Sequence, residues 1–254
     1  MRLSGSNMNA LRSVVFNFFY IFGSFACSIA LSWALLLPHR KCAAIVGPAY
    51  GGYMAFIEKH ILGLRLEIKG MEHLPKDGPY IIAAKHQSAF ETLHIPFTKQ
   101  FRFPVIIHKK ELLYLPVWGL YLWRMGEIGI DRGQGMQAMN KMVQGCRQAL
   151  ADGRSIIIFP QGTRVAPGVT KPYKAGLAKL YKELNVPVVP LALNTGVFWG
   201  RNQFFKKSGT VTYRFLPPIP PGLPPLQVME TIEKTLEAES DRLVKMAGGP
   251  ALSA

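Results

Sequence analysis

The amino-acid sequence predicts an α/β protein: a mainly parallel β-sheet flanked by helices, with an N-terminal hydrophobic helical membrane anchor. Three observations point there. Between Tyr80 and Leu193 short apolar runs alternate with helix-period stretches, the pattern of βαβ units. Residues 155–159 and 188–193 are apolar almost throughout, as in strands covered on both faces. Residues 14–37 form a stretch of 24 without a charge.

As a helix that stretch would be roughly 36 Å long at about 1.5 Å per residue. A hydrocarbon core is roughly 30 Å thick. The stretch is too long for a signal-peptide core, and no small-residue cleavage site follows. Arg2 and Arg12 precede it, and Arg40 and Lys41 follow. A second apolar stretch, 42–57, comes after Pro38 and contains Gly47-Pro48 and Gly51-Gly52. Two arrangements fit: a single span with its C-terminal side cytoplasmic, or a two-helix hairpin dipping into one leaflet. Either makes 1–62 an anchoring region before an α/β domain at 63–247 and a flexible tail at 248–254.

In the domain, Leu64, Leu66 and Ile68 alternate with charged residues, as in a half-exposed strand. Residues 80–84 read as a buried strand and 103–108 as another. A helix is expected over 111–123 and a short strand over 127–130. Met136, Met139, Val143, Cys146 and Leu150 recur at helical spacing, as a core stripe ended by Gly153. The strand at 155–159 is followed by a helix over 176–184 and the strand at 188–193. Val211, Tyr213 and Phe215 suggest an edge strand. An extended proline-rich run, 217–225, leads into an amphipathic helix over 228–246.

Thirty basic and fifteen acidic residues give a net charge of +15. Such a balance favours anionic partners. The mean hydropathy of +0.14 tilts the choice towards a membrane surface. Basic residues are scattered and no nucleic-acid-binding motif is present, which argues against a nucleic-acid partner. Cys27, Cys42 and Cys146 have neither metal-ligand spacing nor an even count for a disulfide framework.

Chemistry-bearing residues gather just after strands, where ligands of open α/β sheets bind. His86 follows the strand at 80–84, and Glu91 comes five residues later. Ser88-Ala89-Phe90-Glu91 matches a capping box, which would start a helix after Ser88. Glu91 in its first turn could hold one ring nitrogen of His86 and leave the other as a proton acceptor. Read alone, Glu91 as a helix cap and His86 as a surface residue fit equally well. Arg132 follows another strand, and Gln161, Gly162, Thr163 and Arg164 a third. Arginines suit bidentate phosphate binding. Gly162 permits close approach of backbone to an anion. Lys109, Lys110 and Lys174 add positive charge.

In order and content these clusters resemble the 1-acylglycerol-3-phosphate acyltransferase family, over about residues 70–194. The resemblance rests on His86 with Glu91, on Gly126-Glu127-Ile128-Gly129-Ile130-Asp131-Arg132, on Phe159-Pro160-Gln161-Gly162-Thr163-Arg164, and on Val186-Pro187-Val188-Val189-Pro190. Two positions depart from the family's commonest pattern: Glu91 stands where Asp is usual, and Gln161 where Glu is usual.

The resemblance implies transfer of an acyl chain from a thioester, acyl-CoA or acyl carrier protein, to the sn-2 hydroxyl of lysophosphatidic acid. The product is phosphatidic acid, a step of phospholipid biosynthesis. His86 would be the general base assisted by Glu91. Lys110, Arg132, Gln161, Gly162, Thr163 and Arg164 would bind substrate. No metal or redox cofactor is implied, and no covalent nucleophile. The expected location is the bilayer at the cytoplasmic face of the inner (plasma) membrane. Two alternatives remain: an acyltransferase for another lyso-lipid such as lyso-ornithine lipid, and a non-catalytic membrane-binding protein.

Overall fold

A computed structural model describes residues 5–97 and 101–250. Arg2 and most of the expected tail lie outside these residues. Helix α1 (Gly5–Phe18) continues through a π-helical turn (Phe19–Gly23) into α2 (Ser24–Ala30). A 3-10 turn (Ser32–Leu36) and Pro38 reverse the chain into α3 (His39–Ile57), which ends in a second π-helical turn (Glu58–Leu62). The two long segments pack side by side as a hairpin. Tyr53 donates its hydroxyl to the carbonyl of Phe19 at 2.6 Å, and Ser24 and Tyr50 share a hydrogen bond at 3.0 Å. A Cβ on Gly23 would lie 1.7 Å from the Tyr53 hydroxyl, so only glycine permits the contact. Gly47-Pro48 and Gly51-Gly52, read as interruptions, lie inside α3 without breaking it.

Among the described residues seven strands form one sheet: β1 (Leu64–Lys69), β2 (Ile81–Ala84), β3 (Val105–Lys109), β4 (Ile128–Ile130), β5 (Ile156–Ile158), β6 (Val188–Leu193) and β7 (Gly209–Phe215). Their order across the sheet is β1-β7-β6-β2-β5-β3-β4. All pairings are parallel except β6 with β7. The expectation of β7 as an edge is corrected: it lies between β1 and β6. The edge falls to β1, where Leu66 is exposed.

Alternation along the strands divides the core. Ile82, Ala84, Ile106 and Ile157 share a cluster with Phe16, Met54 and Ile57 of the hairpin. Ile81, Ala83, Ile156 and Ile158 pack with helices α6 (Gly135–Ala151), α7 (Gly176–Leu184) and α9 (Pro225–Met246), the short helix α8 (Thr195–Phe198) following β6. The hairpin is thus a layer of the fold. In α6 the buried stripe is Met142, Val143 and Cys146, while Met136 is exposed, one turn outside the covered zone.

The helix expected over 111–123 is broken in two. A 3-10 turn (Lys110–Tyr114) precedes α5 (Trp118–Arg124). Pro116 disfavours α geometry at the residue before it, and Leu115 is extended, with φ −65° and ψ 126°. Val117 then takes φ 67° and ψ −58°, and the Trp118 N–H bonds the Pro116 carbonyl at 2.8 Å. That is the strained form of the γ-turn.

Candidate active site

Strand β2 delivers Lys85 to Ser88 into a loop at its carboxyl end, and the short helix α4 (Phe90–His94) follows. Glu91 closes the capping box: its carboxylate accepts from the Ser88 N–H at 3.0 and 3.1 Å and the Gln87 N–H at 3.2 Å. Ser88 Oγ in turn accepts from the Phe90 N–H at 3.1 Å. The cap and the proposed catalytic pairing coexist. Glu91 Oε2 is also 3.1 Å from His86 Nδ1, and Thr195 Oγ1 donates to Oε1. Surrounded by donors and fully buried, a carboxylate can only accept, so Nδ1 carries the proton and Nε2 is the free acceptor.

The His86 ring is held on its face as well. It stacks on Phe159, just past β5, with centroids 4.0 Å apart and planes 17° from parallel. The imidazole remains 14% exposed. The His86 carbonyl accepts from the Val165 N–H at 2.7 Å, which ties the loop after β2 to the loop carrying Arg164.

His86 and Arg164 line the same cavity, of about 490 Å³. Its floor is the sheet at Ile106 and His108, its roof the hairpin at Tyr20, Ser24 and Tyr50, and its side wall α5 at Trp118 and Tyr121. The lining is mainly apolar. Two buried polar groups interrupt the floor. Burial pushes the Glu127 carboxyl up to about 7, against the opposing pull of Arg154 at 3.2 Å. His108 is pushed down, also by burial, and its Nε2 has no hydrogen-bond partner among the described residues.

The other expected site residues are placed as follows. Arg132, exposed after β4, donates from Nη1 to the Gly162 carbonyl at 2.6 Å, so it reaches the turn before Arg164. Gly162 takes φ 68°, and a Cβ there would press on Lys174 at 3.2 Å. Thr163 is half-buried in that turn, and Lys110 opens the turn after β3 outside the cavity lining. Gln161 points elsewhere. It is buried, and its amide lies 3.4 Å from Glu237 of α9. Glu237 also accepts from Lys85 at 2.7 and 2.9 Å and from Tyr173 at 2.9 Å. Burial lowers the Lys85 ammonium, and Glu237 opposes that shift.

Sequence reasoning missed Thr195, Phe159, the Lys85–Glu237 pair and the hairpin roof. Thr195 and Phe159 each stand just beyond the carboxyl end of a parallel strand, the same signal that singled out His86. Nothing local marks Glu237, which arrives from 152 residues away. Among the described residues no cluster of His, Cys, Asp and Glu could hold a metal ion.

A family model described as Acyltransferase matches residues 65–194. The chain is 30% identical to the 1-acyl-sn-glycerol-3-phosphate acyltransferase of Pseudomonas aeruginosa over 81% of its own length and 79% of the relative's. It is 33% identical to the human 1-acyl-sn-glycerol-3-phosphate acyltransferase alpha over 66% of its own length and 59% of that protein's. The crystal structure of the 1-acyl-sn-glycerophosphate acyltransferase PlsC from Thermotoga maritima superposes with a TM-score of 0.70 at 20% identity, covering 94% of this chain and 98% of the other. That last likeness concerns the fold, hairpin included. On the family model and the extent of these relationships, the chain belongs to the acyltransferase family.

Proposed function

We propose that this acyltransferase moves an acyl chain from a thioester to the free sn-2 hydroxyl of lysophosphatidic acid and so makes phosphatidic acid. The observation that carries the reading is the joint opening of His86 and Arg164 into one mainly apolar cavity. A proton acceptor, an anion-binding group and room for a hydrocarbon chain are the three things this transfer requires.

In this reading His86 Nε2 takes the acceptor's hydroxyl proton as the oxygen attacks the thioester carbonyl. Glu91, already bonded to Nδ1–H, stabilises the imidazolium that forms. Collapse of the tetrahedral adduct breaks the carbon–sulfur bond, and the imidazolium returns its proton to the departing thiolate. Arg164 binds the phosphate, aided by Arg132 and Lys110, and holds the hydroxyl near His86. Gly162 and Thr163 shape that turn, while Gln161 acts from behind through Glu237. The names of the relatives support the acceptor.

The segment Asn7–Ala30 is long and apolar enough to cross a membrane by length and composition, with a mean hydropathy of 1.7. Its packing against α3 favours a hairpin lying in one leaflet. Exposed Phe18, Phe22, Phe25 and Ile29 would meet lipid there. Acyl-CoA or acyl carrier protein would approach from the cytoplasmic side of the inner membrane.

The test is an assay of the purified protein with lysophosphatidate and each thioester, beside a panel of other lyso-lipids. Preferential use of lysophosphatidate is expected. Faster use of an acceptor without a phosphate would overturn the role given to Arg164.

A further inference from the structure

The outer face of the segment 110–124 has no partner among the described residues. Its inner face does: Tyr121 and Met125 pack with Ala34, Cys42 and Val46 at the elbow of the hairpin, and the Tyr121 hydroxyl donates to the Ser28 carbonyl. Arg124 reaches the carbonyl of Leu36 at 3.5 Å. The segment therefore runs beside α2, and the cavity lies between the two. Leu115 and Trp118 on one side and Ile21 on the other line the cavity and are also exposed. The cavity thus opens sideways, through an apolar seam.

Beyond the seam, Tyr114, Leu120 and Trp123 stand 71%, 57% and 67% exposed. An apolar patch of this kind marks an interaction surface. Its chemistry selects the partner. Tyrosine and tryptophan favour the zone between lipid headgroups and acyl chains. Lys109 and Lys110 open the segment and Arg124 closes it, against one acid, Glu111, so the fringe is net positive and suits anionic headgroups. The apolar face also continues the exposed face of the hairpin across the seam.

We propose that residues 110–124 form a second membrane-contacting element, a lip seated in the interface of the leaflet that the hairpin enters. The cavity between lip and hairpin then opens onto lipid, and an acyl chain passes in and out without crossing water. The strained turn at Val117 is what sets Trp118 at the seam. The proposal rests on the reading of the hairpin as leaflet-bound, and its test separates the two.

Two full-length single-tryptophan proteins serve. One keeps Trp123 (with Trp33→Phe, Trp118→Phe and Trp199→Phe), the other keeps Trp33 (with Trp118→Phe, Trp123→Phe and Trp199→Phe). Each is mixed with vesicles of phosphatidylethanolamine and phosphatidylglycerol carrying brominated acyl chains. The expected result is bromine quenching of both tryptophans. Quenching of Trp33 alone, with Trp123 open to aqueous iodide, overturns the lip and leaves the hairpin reading intact. Quenching of neither overturns both. In the protein with its other tryptophans unchanged, the triple variant Tyr114→Ser, Leu120→Ser, Trp123→Ser alters exposed side chains outside the cavity lining. It should lose about fivefold or more in turnover of acceptor embedded in those vesicles and keep its turnover of a short-chain acceptor dissolved in water. An unchanged ratio of the two rates overturns the proposal.

Discussion

The ring of Phe159 lies flat beneath the imidazole of His86, 4.0 Å away. One parallel strand thus supplies the imidazole and its neighbour the surface on which the ring rests. Substituting His86→Ala should lower kcat by about 10²–10⁴-fold, the usual contribution of a general base, while the protein still folds with a single cooperative melting transition. Phe159→Leu keeps the apolar support but removes the π face that favours a cation, a loss of about 0.5–2 kcal/mol. The rate should fall about two- to thirtyfold, and an unaltered rate would show that the stack only fills space.

Every donor around Glu91 needs an acceptor. Glu91→Gln would turn an amide N–H₂ either towards the N–H groups of Gln87 and Ser88 and the Thr195 hydroxyl, or towards the Ser88 N–H and His86 Nδ1–H. A stability loss of about 1–3 kcal/mol is expected, together with a loss of turnover. Thr195→Val removes one donor while keeping volume and should be milder on both counts. Thermal melts paired with single-turnover rates separate the two effects.

Arg164 faces the cavity beside His86. Losing a charge-assisted bond to phosphate costs about 1.5–3 kcal/mol. Arg164→Ala should therefore raise KM for lysophosphatidate roughly ten- to hundredfold and leave KM for the thioester unchanged. Equal changes in both constants would contradict a phosphate contact.

Gln161 sits 3.4 Å from the carboxylate of Glu237. A glutamate there would bring two carboxylates together with one ammonium, that of Lys85 on Glu237. Like charge raises a carboxyl pKa, so Gln161→Glu should be tolerated in acid and lose stability as pH rises and both groups ionise. Adding Glu237→Gln should restore it. Melting curves at low and neutral pH read the difference.

Glu127 titrates at about 7 in the folded chain against 4.5 for the free group, because burial disfavours its charge. The folded state holds this proton more tightly than the unfolded one, so the group's contribution is most favourable below 4.5 and declines as pH rises to about 7. Glu127→Gln should flatten the fall in melting temperature across that window. A parallel pH profile in the variant would place the proton elsewhere.

Much of this arrangement was legible in the residues themselves. Strand β6 and helix α7 could be read to the residue because their apolar runs are bounded by Asn185 and Pro187. His86, Arg132 and Arg164 stood out because each follows a strand, and a parallel sheet sends such residues to one edge. What escaped came from distant packing or from the backbone. Pro116 breaks the helix expected at 111–123, a signal that was present but outweighed by apolar spacing. The interior position of β7 depends on β1 returning beside it, which alternation along one strand cannot show. Gln161 looked like a ligand-binding residue, since the approach of Glu237 leaves no trace near position 161.

The side chains of Phe16, Met54, Ile57 and Leu62 are all but inaccessible to solvent, and each belongs to the amino-terminal quarter of the chain. Trimming that quarter to obtain a water-soluble fragment would strip the cover from the β-sheet and unroof His86 together with the cavity it lines. Handling this protein in solution calls instead for changes to outward-facing aromatics such as Phe22, with the two-helix cover left whole.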